Sequence, residues 1–227
     1  MRFCFMKCNR LVLNKSTGLS GIFMNRSYAS AAPIIWFVLF MSVFIWSAIQ
    51  PHNYFTWFLE VIPAVIGFII LALTRQKSPL TTLVYCLILL HMCVLMIGGH
   101  YTYAEVPLFN WLKDEFNLAR NNYDKVGHFI QGFVPAMIAR EIVIRQRIIN
   151  GSIWQAFFIT CFCLALSAVY ELIEWGVAVA SGEGADSFLG TQGYVWDTQS
   201  DMAYCLAGAL IALLTLSQWH NKQLQSL

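Results

Sequence analysis

The sequence predicts an all-α polytopic membrane protein built as a bundle of six transmembrane helices. Hydrophobic residues make up 58% of the 227 residues and charged residues only 11%, whereas soluble domains average about 45–50% and about 25%. Six apolar segments approach the ~20 residues with which an α-helix crosses a bilayer. Short polar connections separate these segments, so the chain leaves no room for a second folded domain.

The six predicted spans cover residues 33–48, 55–73, 80–97, 126–144, 153–180 and 196–217. Proline is tolerated in a first helical turn, where Pro33 opens the first span, and Pro63 predicts a kink in the second. The outer loop between the third and fourth spans carries Leu108, Leu112 and Phe116 on one helical face. This pattern predicts a short interfacial helix on the membrane surface.

Lysine and arginine predict the orientation, because cytoplasmic loops retain them. With both termini in the cytoplasm, eleven of the fourteen basic residues lie inside. Residues 1–30 then form a basic cytoplasmic tail, and Met24 within it is an alternative start of the protein. Residues 31–220 form one transmembrane domain, and residues 221–227 form a cytoplasmic C-terminal tail. The apolar patches of the first tail are shorter than the ~7–15 residues of a signal-peptide core.

Charge and cysteine usage exclude several classes. A net charge of +2, with the basic residues scattered over loops, argues against nucleic-acid binding and leaves membrane lipids as the expected partners. Five of the seven cysteines lie inside apolar segments, which indicates small apolar residues rather than a disulfide framework. The sequence has no serine elbow, phosphate loop or dinucleotide fingerprint.

Ionisable residues converge at one depth of the predicted bundle. A helix rises ~1.5 Å per residue, so residues on four different spans reach the non-cytoplasmic boundary together. They are His100, Tyr103, Asp124, His128, Glu171, Glu174, Asp197 and Asp201, and Gln131 lies almost one turn deeper than His128 on the same side of its helix. Asp124 and His128, four residues apart, share one helix face. Polar groups at such a boundary indicate a functional site.

The spacing suggests roles for these side chains. We expect Asp124, His128, Glu171 and Asp201 to be catalytic or to bind a cation. His100, Tyr103, Gln131, Glu174 and Asp197 are expected to support them. Crowded carboxylates need relief from their mutual repulsion, and either shared protons or a divalent metal ion would supply it. His128, Glu171 and Asp201 are the candidate metal ligands.

Each residue also has a structural interpretation. Asp124 and Asp197 suit N-caps of the fourth and sixth helices, and Thr198 with Asp201 resembles a capping box. His100 suits an interfacial histidine bonded to a carbonyl, and Tyr103 suits the aromatic belt of a membrane boundary. The sequence alone does not decide between these interpretations and a site.

Four stretches carry a resemblance to a known family. From Met24 onward the chain resembles the YjdF-type family of bacterial inner-membrane proteins, and the matching stretches are residues 98–103, 124–132, 170–175 and 197–202. The resemblance implies multi-pass residence in the bacterial inner membrane and assigns no reaction. More faintly, Asp124 and His128 with a downstream glutamate and an Asp-x-x-x-Asp helix start are similar to VanZ-like membrane proteins, which transfers no activity.

Three functions fit these observations. One is a membrane enzyme that acts at the outer face on a lipid or envelope precursor by acid–base or metal-assisted chemistry. The second is a small transporter or ion-coupled channel. The third is a non-catalytic assembly partner whose polar residues hold helices together.

Overall fold

The structure, a computed structural model, describes residues 31–181 and 191–226. These ranges contain seven helices and no strand, which confirms the all-α class. The helices are α1 (Ala32–Ala48), α2 (Tyr54–Thr74), α3 (Thr82–Tyr101), α4 (Pro107–Glu115), α5 (Tyr123–Arg145), α6 (Ser152–Ser181) and α7 (Asp197–Leu224). The predicted N-terminal tail and part of the loop between α6 and α7 lie outside the described residues.

Four of these helices, α2, α3, α6 and α7, are long and apolar enough to cross a membrane. Helix α1 is apolar but has only 17 residues. Helix α5 has 23 residues and carries charged side chains near both ends. Helix α4 begins at a proline and exposes Leu108 and Trp111.

Two helices continue several residues past their predicted ends. Helix α7 continues past residue 217 to Leu224, because the added residues include no glycine or proline, so the predicted C-terminal tail is partly helical. Helix α3 continues through Gly98 and Gly99 to Tyr101. A Cβ at Gly98 would overlap the ring of Tyr103, and one at Gly99 would lie 3.1 Å from Cβ of Glu60. Tertiary packing therefore requires glycine inside this helix.

Helix α5 lies at the centre of the bundle and packs against α3, α6 and α7. Its closest neighbour is α7, since Gly132 and Gly208 let the two backbones approach. A Cβ at Gly132 would overlap the carbonyl of Cys205, and one at Gly208 would overlap the carbonyl of Phe129. Small residues allow this kind of approach between membrane helices. The contact fixes which residues of α7 face α5.

A buried polar cluster joins three helices at the end of the bundle where α3 begins and α5 and α7 end. The Glu141 carboxylate accepts hydrogen bonds from the Thr81 backbone N–H (3.0 Å), the Thr81 hydroxyl (2.7 Å) and Arg145 (3.0 Å). His220 Nε2 lies 3.1 Å from the same carboxylate, and Arg140 lies 2.8 Å from His220 Nδ1. Arginine only donates, so Nδ1 of His220 accepts and Nε2 donates to Glu141. This network ties α3 to α5 and α7.

We predict that Gly208→Ala lowers the apparent melting temperature of the detergent-solubilised protein. The added methyl group overlaps the α5 backbone, and overpacking of this kind costs about 1–3 kcal/mol. Gly176→Ala is the matched control, because an added Cβ there has nothing within 4 Å and alanine favours the helix. Equal melting temperatures for the two variants would contradict the close contact between α5 and α7.

Candidate functional site

The first turns of α5 carry the residues around which the site is built. Asp124 and His128 lie one turn apart, with Asp124 Oδ1 3.3 Å from His128 Nε2. Lys125 follows Asp124 directly and points toward α7. Its Nζ lies 2.8 Å from Asp197 Oδ1 and 2.6 Å from Asp201 Oδ1. One lysine thus links two turns of α7 to the start of α5.

Arg120, in the turn before α5, supplies a second cation. Its guanidinium donates to Asp197 Oδ1 and lies 3.4 Å from Asp124 Oδ2. The five charged residues of this group are each 8% exposed or less: Arg120, Asp124, Lys125, Asp197 and Asp201. Burial at this level makes each charge dependent on its partners, because removal of one member of a buried pair costs about 3–5 kcal/mol.

Helix α6 adds Glu171 to this group. Its Oε1 lies 3.8 Å from His128 Nδ1 and has no hydrogen-bond partner among the described residues, although it is buried. Four carboxylates, those of Asp124, Glu171, Asp197 and Asp201, therefore face two permanent cations, Arg120 and Lys125. The carboxylates thus outnumber the lysine and arginine side chains of the group, and His128 is the further side chain in it that can carry positive charge.

The orientation of His128 bears on what the site binds. Its Nδ1 lies 3.1 Å from the amide oxygen of Gln131, one turn further along α5. An amide oxygen only accepts, so Nδ1 carries a proton and Nε2 is left facing Asp124 and Asp201. Asp201 Oδ1 lies 3.9 Å from this nitrogen.

Three residues of this group, named here the candidate cation site, could hold a metal ion. Asp124, His128 and Asp201 each offer a ligand atom, and these atoms lie within 4.8 Å of one another. Histidine nitrogen and carboxylate oxygen suit borderline and hard divalent ions. Ligating histidines commonly donate their other nitrogen to a neighbouring oxygen, as His128 does to Gln131. The described cysteines are free and contribute no ligand to the group.

A cavity of about 100 Å³ adjoins the cation site. Six ionisable or amide side chains line it: Glu60, His91, Asp124, His128, Gln131 and Glu174. The rest of the lining is Pro63, Leu95, Tyr103, Gly127 and Tyr170. The Tyr170 hydroxyl donates to Glu60 Oε2 at 3.1 Å and so joins α6 to α2. The cavity therefore extends the site from α5 toward α2 and α3.

Tyr103 forms one wall of this cavity. Its ring lies between two glycines, since a Cβ at Gly98 would overlap the ring and one at Gly127 would lie 2.8 Å from it. The turn after α3 places it there, with Thr102 and Tyr103 in the left-handed region at φ 59° and 42°. Burial raises the pKa of the Tyr103 phenol well above its ordinary value, so the hydroxyl stays protonated.

The structure brings most of the predicted residues together and leaves one out. Eight of the predicted residues lie in the cation site or along the cavity: Tyr103, Asp124, His128, Gln131, Glu171, Glu174, Asp197 and Asp201. His100 lies elsewhere, with Nδ1 3.1 Å from the carbonyl of Ser47 and its ring 4.5 Å from that of Trp46. The structural interpretation of His100 as a carbonyl-bonded histidine matches this contact.

The N-cap interpretation of Asp124 and Asp197 is wrong. The N-cap of α5 is Asn122 and that of α7 is Trp196, and neither side chain makes a capping hydrogen bond. Asp124 and Asp197 lie inside the first turns, where their side chains form ion pairs instead. Carboxylates at this position still favour the positive end of the helix dipole.

Sequence reasoning missed several members of the site. Arg120 is one of them: it lies before the start of α5, so helical spacing does not predict its ion pair with Asp124. Glu60, His91 and Tyr170 line the cavity from three other helices. Tyr170 adjoins Glu171 in the sequence, but no periodicity places it against Glu60.

Comparisons with known proteins agree on the class of the chain. The family described as "Predicted membrane protein (DUF2238)" matches residues 32–222. The chain is 49% identical over 183 residues to the inner membrane protein YjdF of Escherichia coli (strain K12), which covers 81% of this chain and 88% of that relative. No solved structure matches it. The chain therefore belongs to this membrane protein family, whereas the similarity to VanZ-like proteins is not shown.

We predict that His128→Ala and Glu171→Gln are energetically coupled. Groups in one network couple by about 0.5–3 kcal/mol, whereas distant groups contribute independently. A double-mutant cycle on stability in detergent measures the coupling. The control cycle pairs His128→Ala with Asp114→Asn, an exposed change in α4. Additive effects in the first cycle would show that His128 and Glu171 do not belong to one network.

Proposed function

We propose that this member of the DUF2238 family is a six-span enzyme of the bacterial inner membrane that acts at the outer face on a lipid or envelope precursor. In this proposal both termini lie in the cytoplasm, and the site of Asp124, His128, Glu171 and Asp201 binds a divalent cation. Asp197, Arg120 and Lys125 hold these side chains in position.

In this proposal α1 and α5 are the two spans that, with α2, α3, α6 and α7, make six transmembrane helices. Helix α5 is about 35 Å long at ~1.5 Å per residue, which is enough to cross a hydrocarbon core of ~30 Å. Residues 126–139 of α5 contain no aspartate, glutamate, lysine or arginine, so its charges lie toward its two ends. Helix α1 is about 26 Å long on the same rise, and α4 with its exposed Leu108 and Trp111 suits the membrane surface.

The observation that carries the proposal is the unbalanced charge around His128. Four buried carboxylates face two permanent cations, and Glu171 Oε1 has no hydrogen bond among the described residues. With His128 neutral, four carboxylates less the charges of Arg120 and Lys125 leave two negative charges, which a divalent cation between His128 Nε2, Asp124 and Asp201 would offset. Such a site would lower the pKa of a bound water molecule and polarise a phosphoryl or carbonyl oxygen.

The chain's own residues then have separate tasks. Glu171 is the one carboxylate of the group whose oxygen faces His128 without a hydrogen bond, which leaves it able to take up a proton from an attacking water. Lys125 orients Asp201, since its Nζ lies 2.6 Å from Oδ1. Gln131 orients His128 through Nδ1. The cavity receives part of the substrate.

A transport function has less support. Between the outer site and the Glu141–His220 cluster, the core of the described bundle consists of apolar side chains such as Val84, Met92, Val134 and Met137. Transport of an ion or a proton requires polar groups or water along the whole path. A one-sided site suits chemistry on a substrate in one leaflet.

We predict that the detergent-purified protein retains about one divalent metal ion per chain, measured by elemental analysis with co-purified lipids identified alongside. His128→Ala and Asp201→Asn should each lose the ion, because both remove a ligand. Asp114→Asn removes an exposed carboxylate of α4 and should retain it. A wild-type protein free of metal, or ligand variants that keep it, would refute the cation site.

The topology gives a separate prediction. Alkaline phosphatase fused after the C-terminus should be inactive, because the enzyme folds only outside the cytoplasm, and the same enzyme inserted within α4 should be active. Green fluorescent protein at the two positions should give the opposite pattern. An active phosphatase at the C-terminus would contradict six spans with cytoplasmic termini.

A further inference from the structure

We infer that the cavity beside the cation site binds a small ammonium group, such as the amino headgroup of a lipid. This inference deepens the proposed function, because it names the chemical class of the substrate. It rests on the proposed function, which makes the substrate an amphiphile. The side chains that carry it are Glu60, Glu174, Tyr103 and Tyr170, which are distinct from the proposed cation ligands.

The lining of the cavity contains three carboxyl groups and two histidines, and no lysine or arginine. Glu60, Asp124 and Glu174 contribute carboxyl groups, and neither Lys125 nor Arg120 is among the lining residues. Both cations face the aspartates of α7 instead. An anionic group in the cavity would meet like charge at close range, whereas a cationic group would be attracted.

Glu174 is the side chain that points to a ligand. It is 8% exposed, lines the cavity, and makes no hydrogen bond or ion pair with any described residue. Glu60 differs, since it is 4% exposed and accepts a hydrogen bond from Tyr170. A buried carboxyl group without a partner costs free energy, and the three N–H donors of an ammonium group would satisfy it.

The remaining lining selects an organic ammonium over a metal cation. Pro63 and Leu95 are apolar, and the rings of Tyr103 and Tyr170 complete the wall. Hard metal ions require several oxygen ligands at once, whereas an alkylammonium group combines a charged end with an apolar chain and binds aromatic faces.

The volume of the cavity limits the size of the ligand. A cavity of about 150 Å³ binds benzene, so the cavity of about 100 Å³ suits a group of a few non-hydrogen atoms. An aminoethyl group has this size and charge. The cavity is partly open, so the rest of an amphiphile would lie outside it.

Two binding measurements on the full-length protein in detergent test the inference. Native mass spectrometry with an equimolar mixture of phosphatidylethanolamine and phosphatidylglycerol should show preferential retention of phosphatidylethanolamine. Calorimetry with ethanolammonium chloride, at constant ionic strength set by potassium chloride, should show saturable binding if a free amine also enters the cavity.

Variants on one helix separate this cavity from the cation site. Glu174→Gln should weaken ammonium binding by about tenfold or more, because the amide keeps an acceptor oxygen but loses the negative charge that attracts the ammonium group. Glu171→Gln, one turn away on α6, is the matched control and should retain ammonium binding while it weakens metal binding. Glu60→Gln changes a second carboxyl group of the same cavity, on α2, and should also weaken ammonium binding. The inference can therefore be tested even if one of the two variants fails to fold.

The outcomes distinguish a lipid headgroup from a free amine as the ligand, and they distinguish failure of the ammonium site from failure of the metal site. Binding of phosphatidylethanolamine alone identifies a lipid headgroup, and equal binding of ethanolammonium identifies a free amine; both support the ammonium site. No preference for either amine, or a preference that survives both Glu174→Gln and Glu60→Gln, would overturn it. Loss of metal binding in Asp201→Asn, whose side chain does not line the cavity, with ammonium binding intact would show that the two sites stand independently.

Discussion

The rest of the site depends on Lys125, whose ammonium group lies between carboxylates of two helices. It is bonded to Asp197 and Asp201 of α7 while its own backbone belongs to the first turn of α5. All three side chains are buried, and an unpaired buried charge is costly, so they are held by one another rather than by water. Arg120 repeats the link one turn earlier, and together the two cations fix the position of Asp124 and Asp201 around His128.

The helix packing makes this link possible. Gly132 and Gly208 bring the backbones of α5 and α7 together deeper in the bundle, and Asp201 lies two turns before Gly208 on the face turned toward α5. At the far end of the same helices, Glu141 and His220 form a network whose hydrogen bonds are satisfied. The two ends thus differ in kind: one polar cluster is complete, and the other includes the unpartnered oxygen of Glu171 beside a cavity.

The depth of each polar residue could be predicted from the sequence, because helix rise converts residue number into distance along the bundle. This reasoning placed His128, Glu171 and Asp201 together and they do meet. Depth does not determine the direction in which a residue faces, which is why His100, at a suitable depth, bonds to Ser47 on α1 instead. Glu60 could not be assigned to the site for the same reason, since its contact with Tyr170 depends on how α2 and α6 are rotated.

The central claim is that His128, Asp124 and Asp201 hold a divalent cation, and electron spin-echo spectroscopy of the protein loaded with Mn²⁺ tests it most directly. The account predicts modulation from one imidazole nitrogen coupled to the manganese, and its disappearance in His128→Ala. A spectrum without nitrogen coupling, equal to that of manganese surrounded by water, would contradict it.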